Sequence, residues 1–524
     1  MKIKLYTFLS ILLFFSQNIK SQHQNISNGT IFEGEPYIVI NPNNPQNIVV
    51  AWMGFVYNVS TGLTIKVKSS FNGGQTWSTT VNIPHINSSY QSADPSMAFD
   101  GNGNLFLSYI DHRENPDSGG VYIRKSVNGG LTWGNPIKTI DVHADGTELP
   151  IDRPWLTVNA AGDKIYIVTK PAPWIPAPNR PYFIASVDSG ATWQPWRYLD
   201  TTNYLVGNLI AQPMAVPVCS GNKFHAMYPS YVPSQNVYAQ YLLATTINSG
   251  NSFTYKPMVV TQPNASNDTA KLAYKLIQDP SNNNHLAFIY LAAPFGDIDI
   301  MLAETFNSGL NWSTPQRVND DPQGNGKMQD MLWADFDSDG DIIITWRDRR
   351  NASGIGFATA SEFYGAFRDN DSANFSSNFP LSDGIVSYNS ILAQNGNDFM
   401  STALLNDTLY TVYANTKDGS LDVWFVKMAA RTQTVTGIAL IGSESDRLRI
   451  MPNPSAGIFT INALGKAFLD DVAVYTMTGK KITSTTYNAL NKTIDLSGYP
   501  KGIYLISVVI NGQTFSQKVV LAQN

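Results

Sequence analysis

The stretch SVDSGATW, residues 186–193, decides the fold, because close copies of it recur along the chain. Two copies are nearly as regular and two are weaker: SFNGGQTW (70–77), SVNGGLTW (126–133), TINSGNSF (246–253) and TFNSGLNW (305–312). The third residues of the five phrases are spaced 56, 60, 60 and 59 residues apart: Asn72, Asn128, Asp188, Asn248 and Asn307. A period of this size predicts an array, solenoid or propeller with one supersecondary unit per repeat.

Each repeat contains more than the phrase. Two runs rich in apolar and β-branched residues precede it, such as PWLTV (154–158) and KIYIVT (164–169); a third leads into it and a fourth follows. The pair of runs appears twice more, at 332–346 and 399–413. The sequence therefore predicts an all-β chain, a β-propeller of six or seven four-stranded blades with seven favoured, followed by a small C-terminal β-sandwich.

The propeller is expected to span residues 30–428. Its last repeat shows only three strands, so the segment before Glu35 is expected to supply the fourth and close the ring. The phrase itself is predicted to be a structural turn between the third and fourth strands of a blade. Its Asn or Asp can bond nearby backbone amides, and its Gly allows positive φ. Asp188 is therefore expected to belong to the scaffold and not to a site.

Composition narrows the function classes. Only 14% of the residues are charged and the net charge is −5, without a basic stripe, which argues against a nucleic-acid partner. Cys219 is the single cysteine, so no internal disulfide is possible, and a small buried apolar role is expected for it. Residues 1–21 carry two lysines and then a short apolar run, the pattern of a secretory signal peptide, and no transmembrane segment is expected after its removal.

The residues that end second strands or begin first strands should gather on the propeller face opposite the repeated turn. In a chain with few charges, this set is unusually polar: Glu35, Asp94, Asp111, His112, Arg113, Asp152, Arg153, Trp155, Lys170, Trp174, Gln212, Tyr228, Tyr231, Tyr290, Asp330, and Arg347 to Arg350. Arginines bind carboxylates in pairs of hydrogen bonds, aromatic rings stack on sugars, and paired carboxyls serve as acid and base.

Two groups of candidates follow from this set. The candidate catalytic residues are Asp94, Asp111, Asp152 and Asp348. The candidate ligand-binding residues are Arg113, Arg153, Trp155, Tyr231, Arg347 and Arg349. The alternative interpretation is that Asp–Arg pairs such as those in WRDRR (346–350) only fasten adjacent loops, since structural ion pairs also cluster.

The segment DFDSDGD, residues 335–341, imitates a calcium-binding loop through Asp335, Asp337 and Asp339. It occupies the hairpin between the first and second strands of its blade, and Trp346 stands where such a loop needs a glutamate. A plain hairpin is therefore the favoured interpretation over bound calcium, and no cofactor is expected.

The repeated phrase resembles the Asp box, or BNR repeat, of bacterial sialidases. This resemblance implies a sialidase-like propeller that binds carbohydrate and, if it is an enzyme, acts as a glycoside hydrolase. The chain departs from the family at its start, where Glu33-Gly-Glu-Pro-Tyr37 stands in place of an early Arg-Ile-Pro motif. Two hypotheses stay open: an exported glycan-active enzyme, and a non-catalytic propeller or adhesin that binds a glycan or a surface protein.

The C-terminal region has a different texture. After a linker at 429–446, the strings MPNPSAGIFTI (451–461), DVAVYTMTGKKI (471–482) and DLSGYPKGIYLI (495–506) resemble the C-terminal sorting domain of type IX secretion cargo, here 447–524. The resemblance implies export through the periplasm, the type IX machinery as a partner, and a protein that is secreted or attached to the outer-membrane surface.

Overall fold

The structure is a computed structural model that describes residues 22–29, 32–55, 62–175, 180–201, 214–230, 240–259, 273–388, 397–431, 448–463, 469–476, 480–482, 486–488, 493–510 and 513–522. The predicted signal peptide and Tyr231 lie outside these residues. The chain divides into two compact units, residues 1–434 and 435–524. Within the described part of the chain, no helix is long and apolar enough to cross a membrane.

The described strands of the first unit form seven four-stranded antiparallel sheets, which we call blades 1 to 7. The first strand of the chain is β1 (Gln22–Asn25). Blade 1 contains β2 (Glu33–Asn41), β3 (Asn44–Phe55), β4 (Leu63–Ser70) and β5 (Val81–Asn82). Blade 2 contains β6 (Gln91–Phe99), β7 (Leu105–Glu114), β8 (Asp117–Ser126) and β9 (Ile137–Asp141). Blade 3 contains β10 (Asp152–Val158), β11 (Ile165–Lys170), β12 (Tyr182–Ser186) and β13 (Arg197–Tyr198).

The remaining blades follow the same order of strands. Blade 4 contains β14 (Val216–Ser220), β15 (Lys223–Ser230), β16 (Gln240–Thr246) and β17 (Thr254–Val259). Blade 5 contains β18 (Tyr274–Gln278), β19 (Leu286–Ala292), β20 (Asp299–Thr305) and β21 (Gln316–Arg317). Blade 6 contains β22 (Gln329–Phe336), β23 (Ile342–Asp348), β24 (Glu362–Arg368) and β25 (Phe379–Pro380). Blade 7 contains β26 (Ser401–Leu405), β27 (Thr408–Asn415), β28 (Asp422–Ala429) and β1.

The blades form a closed ring around an axis. The first strand of each blade contacts the first strand of the next, in the order β2, β6, β10, β14, β18, β22, β26, and β26 contacts β2 again. These seven strands are therefore the innermost ones, and each blade extends outward from the axis. The prediction of an all-β propeller is confirmed, and the described residues contribute seven blades to it.

The N-terminal segment completes the last blade. Strand β1 pairs antiparallel with β28, from Gln22 opposite Lys427 to Asn25 opposite Trp424. Just beyond it, the Ser27 hydroxyl donates a hydrogen bond of 2.8 Å to Asp422 and accepts one of 2.9 Å from the Val423 amide. The two ends of the propeller segment are thus joined in one sheet, as the missing strand of the last repeat had suggested.

Apolar side chains fill the spaces between neighbouring blades. Between blades 5 and 6, for example, Ile289, Ile344 and Trp346 are completely buried in one cluster. Successive side chains of a strand point to opposite faces of the sheet, so each blade buries apolar side chains against both of its neighbours. The burial of this apolar surface is the main source of stability for a protein of this kind. The charged groups discussed below are held in place by this framework.

The second unit contains two four-stranded sheets that share a buried core, as predicted for a small sandwich. One sheet has the order β29 (Leu448–Met451), β30 (Ile458–Ala463), β34 (Thr493–Asp495), β33 (Thr486–Asn488). The other has the order β32 (Lys481–Ile482), β31 (Leu469–Thr476), β35 (Gly502–Ile510), β36 (Gln513–Leu521). The core between them includes Ile450, Phe459, Val474 and Ile506.

The five repeated phrases form one kind of turn. In the third of them, the Ser186 hydroxyl donates to Asp188 Oδ1 at 2.8 Å and accepts the Gly190 amide at 2.9 Å. Asp188 Oδ1 also accepts the Thr192 amide at 2.9 Å. Hydrogen bonds from Thr192 hold the pKa of Asp188 below its usual value, so this carboxylate is ionised and occupied within its own turn.

The same bonds recur in the other four copies. The amide of the residue four positions after each central Asn bonds that Asn side chain, at 2.9 to 3.0 Å: Asn72, Asn128, Asn248 and Asn307. Because the same hydrogen bonds recur once per blade, the turn has a structural role in each blade and does not form a single ligand site.

Replacing Ser186 with alanine should destabilise the propeller by about 1–3 kcal/mol, because the buried amide of Gly190 loses its acceptor. Ser186 is completely buried, so water cannot replace the hydroxyl. The midpoint of chemical denaturation measures the effect. Ser338→Ala is the control, since Ser338 is exposed; equal midpoints for the two variants would contradict a structural role for the turn.

Candidate functional site

Four innermost strands share one irregularity near their beginnings. The pairing register shifts in β2, β6, β10 and β22, and one residue within each shift adopts the left-handed conformation. These residues are Glu35 (φ 53°), Asp94 (φ 54°), Arg153 (φ 49°) and Met331 (φ 52°). Non-glycine residues in this region cost roughly 1 kcal/mol or more, and such strain is concentrated at functional sites. Three of the four have ionisable side chains.

Three of these residues, Glu35, Asp94 and Arg153, lie together near the axis. The Arg153 amide donates to Asp94 Oδ2 at 3.1 Å, and Arg153 Nη2 donates to Asp398 Oδ2 at 2.6 Å. Arg153 belongs to blade 3, whereas Asp398 lies three residues before the inner strand of blade 7. Side chains from these non-adjacent blades can touch only close to the ring's centre. We call Glu35, Asp94, Asp152 and Asp398, together with Arg153, the axial carboxyl cluster.

Glu35 is the most strongly perturbed member of the cluster. Burial raises the pKa of Glu35 well above its usual value, and the negative charges of Asp94 and Asp398 and a hydrogen bond with Asp94 raise it further. Only 2% of its surface is exposed, and Oε2 finds no hydrogen-bond partner among the described residues. A proton on Glu35 removes the repulsion and provides a donor, so its surroundings favour the protonated carboxylic acid.

The cations of the cluster offset only part of its negative charge. Burial opposes the charge of Arg153, but the carboxylates of Asp398, Asp152, Glu35 and Asp94 outweigh that effect and raise its pKa. Lys170 donates to Asp152, and burial raises the pKa of Asp152 to about 6 in spite of this bond. Burial likewise lowers the pKa of Lys170. The four carboxyls of the cluster therefore have two basic groups beside them, Arg153 and Lys170. This excess of acidic groups favours a proton on one of the carboxyls.

An aromatic layer lies directly below the cluster along the axis. It consists of Tyr37, Trp155, Trp333 and Phe399, with ring centroids 5.1 to 6.2 Å apart. All four rings are buried, and Trp155 follows Arg153 by two residues in β10. Trp155 was predicted to bind ligand, but the structure places its ring inside this layer.

A second aromatic surface lies beside the cluster. His112 and Trp174 stack with their centroids 6.1 Å apart, and about half of Trp174 is exposed. Neither ring nitrogen of His112 has a hydrogen-bond partner among the described residues. Burial lowers the pKa of His112, so the ring is neutral, and the charge of Asp94 acts on it. Arg113 is half-buried nearby and donates to the Pro116 carbonyl at 3.2 Å.

Asp111 is fully engaged in a buried network. One oxygen lies 2.8 Å from His85 Nδ1 and accepts the Ser92 hydroxyl at 2.9 Å, and the other accepts the Ile86 amide at 2.7 Å. The side chain has no exposed surface. Asp111 therefore fastens the segment at residues 85–86 to the second blade, and it is not open to a ligand.

The WRDRR segment forms a similar closed network. Arg347 and Arg349 both bond Asp330, at 2.5 to 2.7 Å and 3.1 to 3.2 Å respectively, and all three are buried. Asp348 accepts bonds from Arg350 and from the Trp346 indole and has no exposed surface. Arg347, Arg349 and Asp348 therefore fit the alternative interpretation, in which Asp–Arg pairs only fasten adjacent loops.

The DFDSDGD loop uses its carboxylates for backbone bonds. Asp335 accepts the Leu404 amide at 2.9 Å, and Asp337 accepts the Ser338 and Asp407 amides. Asp339 is exposed. No group of three or more potential metal ligands is found within the described ranges. The plain hairpin stays the prediction, with calcium at Asp335, Asp337 and Asp339 as its alternative, and a metal titration would decide between them.

The structure thus brings together some of the predicted residues and separates others. Asp94, Asp152 and Arg153 meet in the axial carboxyl cluster, whereas Asp111, Asp348, Arg347 and Arg349 are locked in separate networks. Glu35 was recognisable from its place at the start of an inner strand. Asp398 carried no such signal, because it meets Arg153 from 245 residues away.

Comparison with known proteins identifies the C-terminal unit. Residues 449–522 match the family described as Secretion system C-terminal sorting domain. The resemblance to type IX secretion cargo is thereby confirmed, and the protein is secreted or attached to the outer-membrane surface. A search of curated proteins finds no match to the chain.

Several solved structures resemble the chain at low identity. A protein of unknown function from Dyadobacter fermentans has 14% identity and a TM-score of 0.40, covering 61% of this chain and 91% of that chain. The NanB sialidase from Streptococcus pneumoniae has 11% identity and a TM-score of 0.38, covering 77% and 69%. The phage phi92 endosialidase has 12% identity and a TM-score of 0.43, covering 96% and 88%. Similarity this weak assigns no function.

Proposed function

We propose that this exported propeller acts on glycans at the axial carboxyl cluster, as a glycoside hydrolase. The observation that carries the proposal is the buried carboxylic acid Glu35 in contact with Asp94 and close to Arg153 and Asp398. Glycoside hydrolysis needs one carboxyl that holds a proton and a second that is ionised. Burial and the repulsion of neighbouring carboxylates raise the pKa of the first carboxyl, as they do for Glu35 in this cluster.

The proposed roles follow from the surroundings of each group. Glu35 protonates the oxygen of the leaving sugar, because burial and the neighbouring carboxylates raise its pKa and favour its protonated form. Asp94, which is partly exposed, supplies the carboxylate that acts as base or nucleophile. Arg153 stabilises the negative charge of Asp94 and Asp398, and the Asp152–Lys170 pair holds the strand beneath them.

Binding of the sugar is assigned to the rim of the cluster. The exposed face of Trp174 offers a surface for the apolar face of a sugar ring, and the stacked ring of His112 supports it from behind. Arg113 is near the same edge and can contribute a further donor. A glycan on this surface would lie next to Asp94, whose charge already acts on His112.

The second candidate function is glycan binding without turnover. It is favoured by the extreme burial of Glu35, which leaves little of its carboxyl open to a large substrate. In this case the cluster would be a rigid support for Trp174 and His112, and the protein would act as a surface binding protein or adhesin.

The deciding experiment is a screen of the purified mature protein against a panel of neutral and acidic glycans. We expect release of sugar from at least one of them, and loss of release in Glu35→Gln. Binding in the absence of release from about pH 4 to about pH 8, a range that includes the ordinary pKa values of Glu and His, would overturn hydrolysis and support the binding function. Neither release nor binding would overturn both.

A further inference from the structure

A cavity lies on the axis, on the side of the aromatic layer away from the axial carboxyl cluster. Its volume is about 530 Å³, and it is lined by residues from all seven innermost strands. The axial carboxyl cluster lies at the beginnings of these strands, whereas the cavity is lined mainly by their later residues. Tyr37 and Trp333 of the aromatic layer form one of its walls. Cavities of about 300–1,000 Å³ hold small-molecule ligands.

Among the described residues that line this cavity, only Lys275 and Asp335 have charged side chains. The ammonium group of Lys275 lies 3.8 Å from the centre of the Trp333 ring. Within the described part of the chain, it has no hydrogen-bond acceptor and no ion pair, although a cation in such a place is costly unless it is paired. Burial lowers the pKa of Lys275 to about 8, so the group is still charged at pH 7.

Asp335 lies in the same cavity without forming an ion pair with Lys275. One of its oxygens accepts the Leu404 amide at 2.9 Å, and the side chain is half-exposed to the cavity. Burial raises the pKa of Asp335 to about 7, so both of its protonation states are populated near neutral pH. A hydroxyl group suits either state, since it can donate to the carboxylate and accept from the acid.

We propose that this cavity binds an acidic monosaccharide of the uronate class, with the sugar carboxylate on Lys275 and a hydroxyl group on Asp335. A neutral sugar would leave the ammonium group unpaired, and a simple carboxylate would leave Asp335 and most of the cavity unused. Trp333 and Tyr37 form an apolar wall of the cavity beside the ammonium group, against which the apolar part of the sugar can pack. The site is separate from the axial carboxyl cluster and does not depend on the function proposed for it.

Titration calorimetry of the mature full chain tests the proposal with three probes: glucuronate, glucose and acetate. We expect glucuronate to bind at least about 10-fold more tightly than either of the others, because only it satisfies both charged groups. Lys275→Met should weaken glucuronate binding at least about 10-fold. The control Lys138→Met removes a half-exposed surface lysine and should leave binding unchanged.

A measurement on the unmodified protein guards against a variant that fails to fold. Glucuronate should protect Lys275 from acylation by an amine-directed reagent, as followed by mass spectrometry, while Lys138 should react as before. Absence of glucuronate binding, equal binding of acetate, or unchanged binding by a folded Lys275→Met variant would each overturn the proposal. Glu35→Gln should still bind glucuronate, so failure of this site is distinguishable from failure of the proposed function.

Discussion

Replacing Asp330 with alanine should destabilise the propeller by about 3–5 kcal/mol, the typical cost of removing one partner from a buried charge network. Asp330 is the common acceptor of Arg347 and Arg349, and the exposed fractions of these arginines are only 3% and 1%. Without the carboxylate, two guanidinium groups would remain buried and lose their only ionised partner in the described network. The shift in the midpoint of chemical denaturation measures the loss.

Asp339→Ala is the matched control, because Asp339 is an exposed carboxylate in the same blade. The pH dependence provides a further check. The charges of Arg347 and Arg349 hold the pKa of Asp330 far below its usual value, in spite of burial. The stabilisation is thus present above the unfolded pKa of about 3.9 and disappears as the pH falls through the lower folded value. If the two alanine variants unfold at the same midpoint, Asp330 does not hold the network together.

Glu35→Gln should lower kcat/KM at least 100-fold on any glycan that the protein hydrolyses, since positioned general acids contribute roughly 10²–10⁴-fold. The amide keeps the size of the side chain but has no proton to transfer to the leaving oxygen. In the unaltered protein, activity should fall as the pH rises through the raised pKa of Glu35, and this descending limb should disappear in the variant.

Stability separates this catalytic role from a structural one. Glu35 is buried among carboxylates, so a neutral amide should leave the melting temperature unchanged or raise it. Glu114→Gln serves as the control, because Glu114 is exposed and outside the cluster. Full activity in Glu35→Gln would refute the assignment of the acid, and lost activity together with a large fall in melting temperature would indicate a structural role for Glu35.

Much of the fold was predictable because the information is local. The bonds of the repeated turn join residues within four positions of one another, as in Ser186 and Gly190, so each copy marks a blade in the sequence alone. The face that carries the cluster also followed, since strand direction in a blade fixes which residues share a face. Closure by the N-terminal segment was expected because one strand was missing from the last repeat.

The site was only partly predictable, because residue type does not reveal what a carboxylate contacts. Asp94 and Asp111 look equivalent in sequence, yet Asp94 meets Arg153 near the axis, whereas Asp111 is closed off by His85 and a backbone amide. The difference arises from contacts between blades and from the segment at residues 85–86, which is not part of the repeated sequence pattern. Lys275 gave no signal either, since a single lysine in a strand is usually a solvated one.

The pairing of β1 with β28 has a consequence for the order of events during export. These strands are separated by about four hundred residues, and closing so long a loop is slow compared with forming one blade. A chain that emerges with its N-terminus first must keep β1 without its partner until nearly the whole propeller has followed. An unpaired strand edge invites wrong pairing with other chains. The interval before β28 becomes available is therefore the stage at which β1 is most open to wrong pairing.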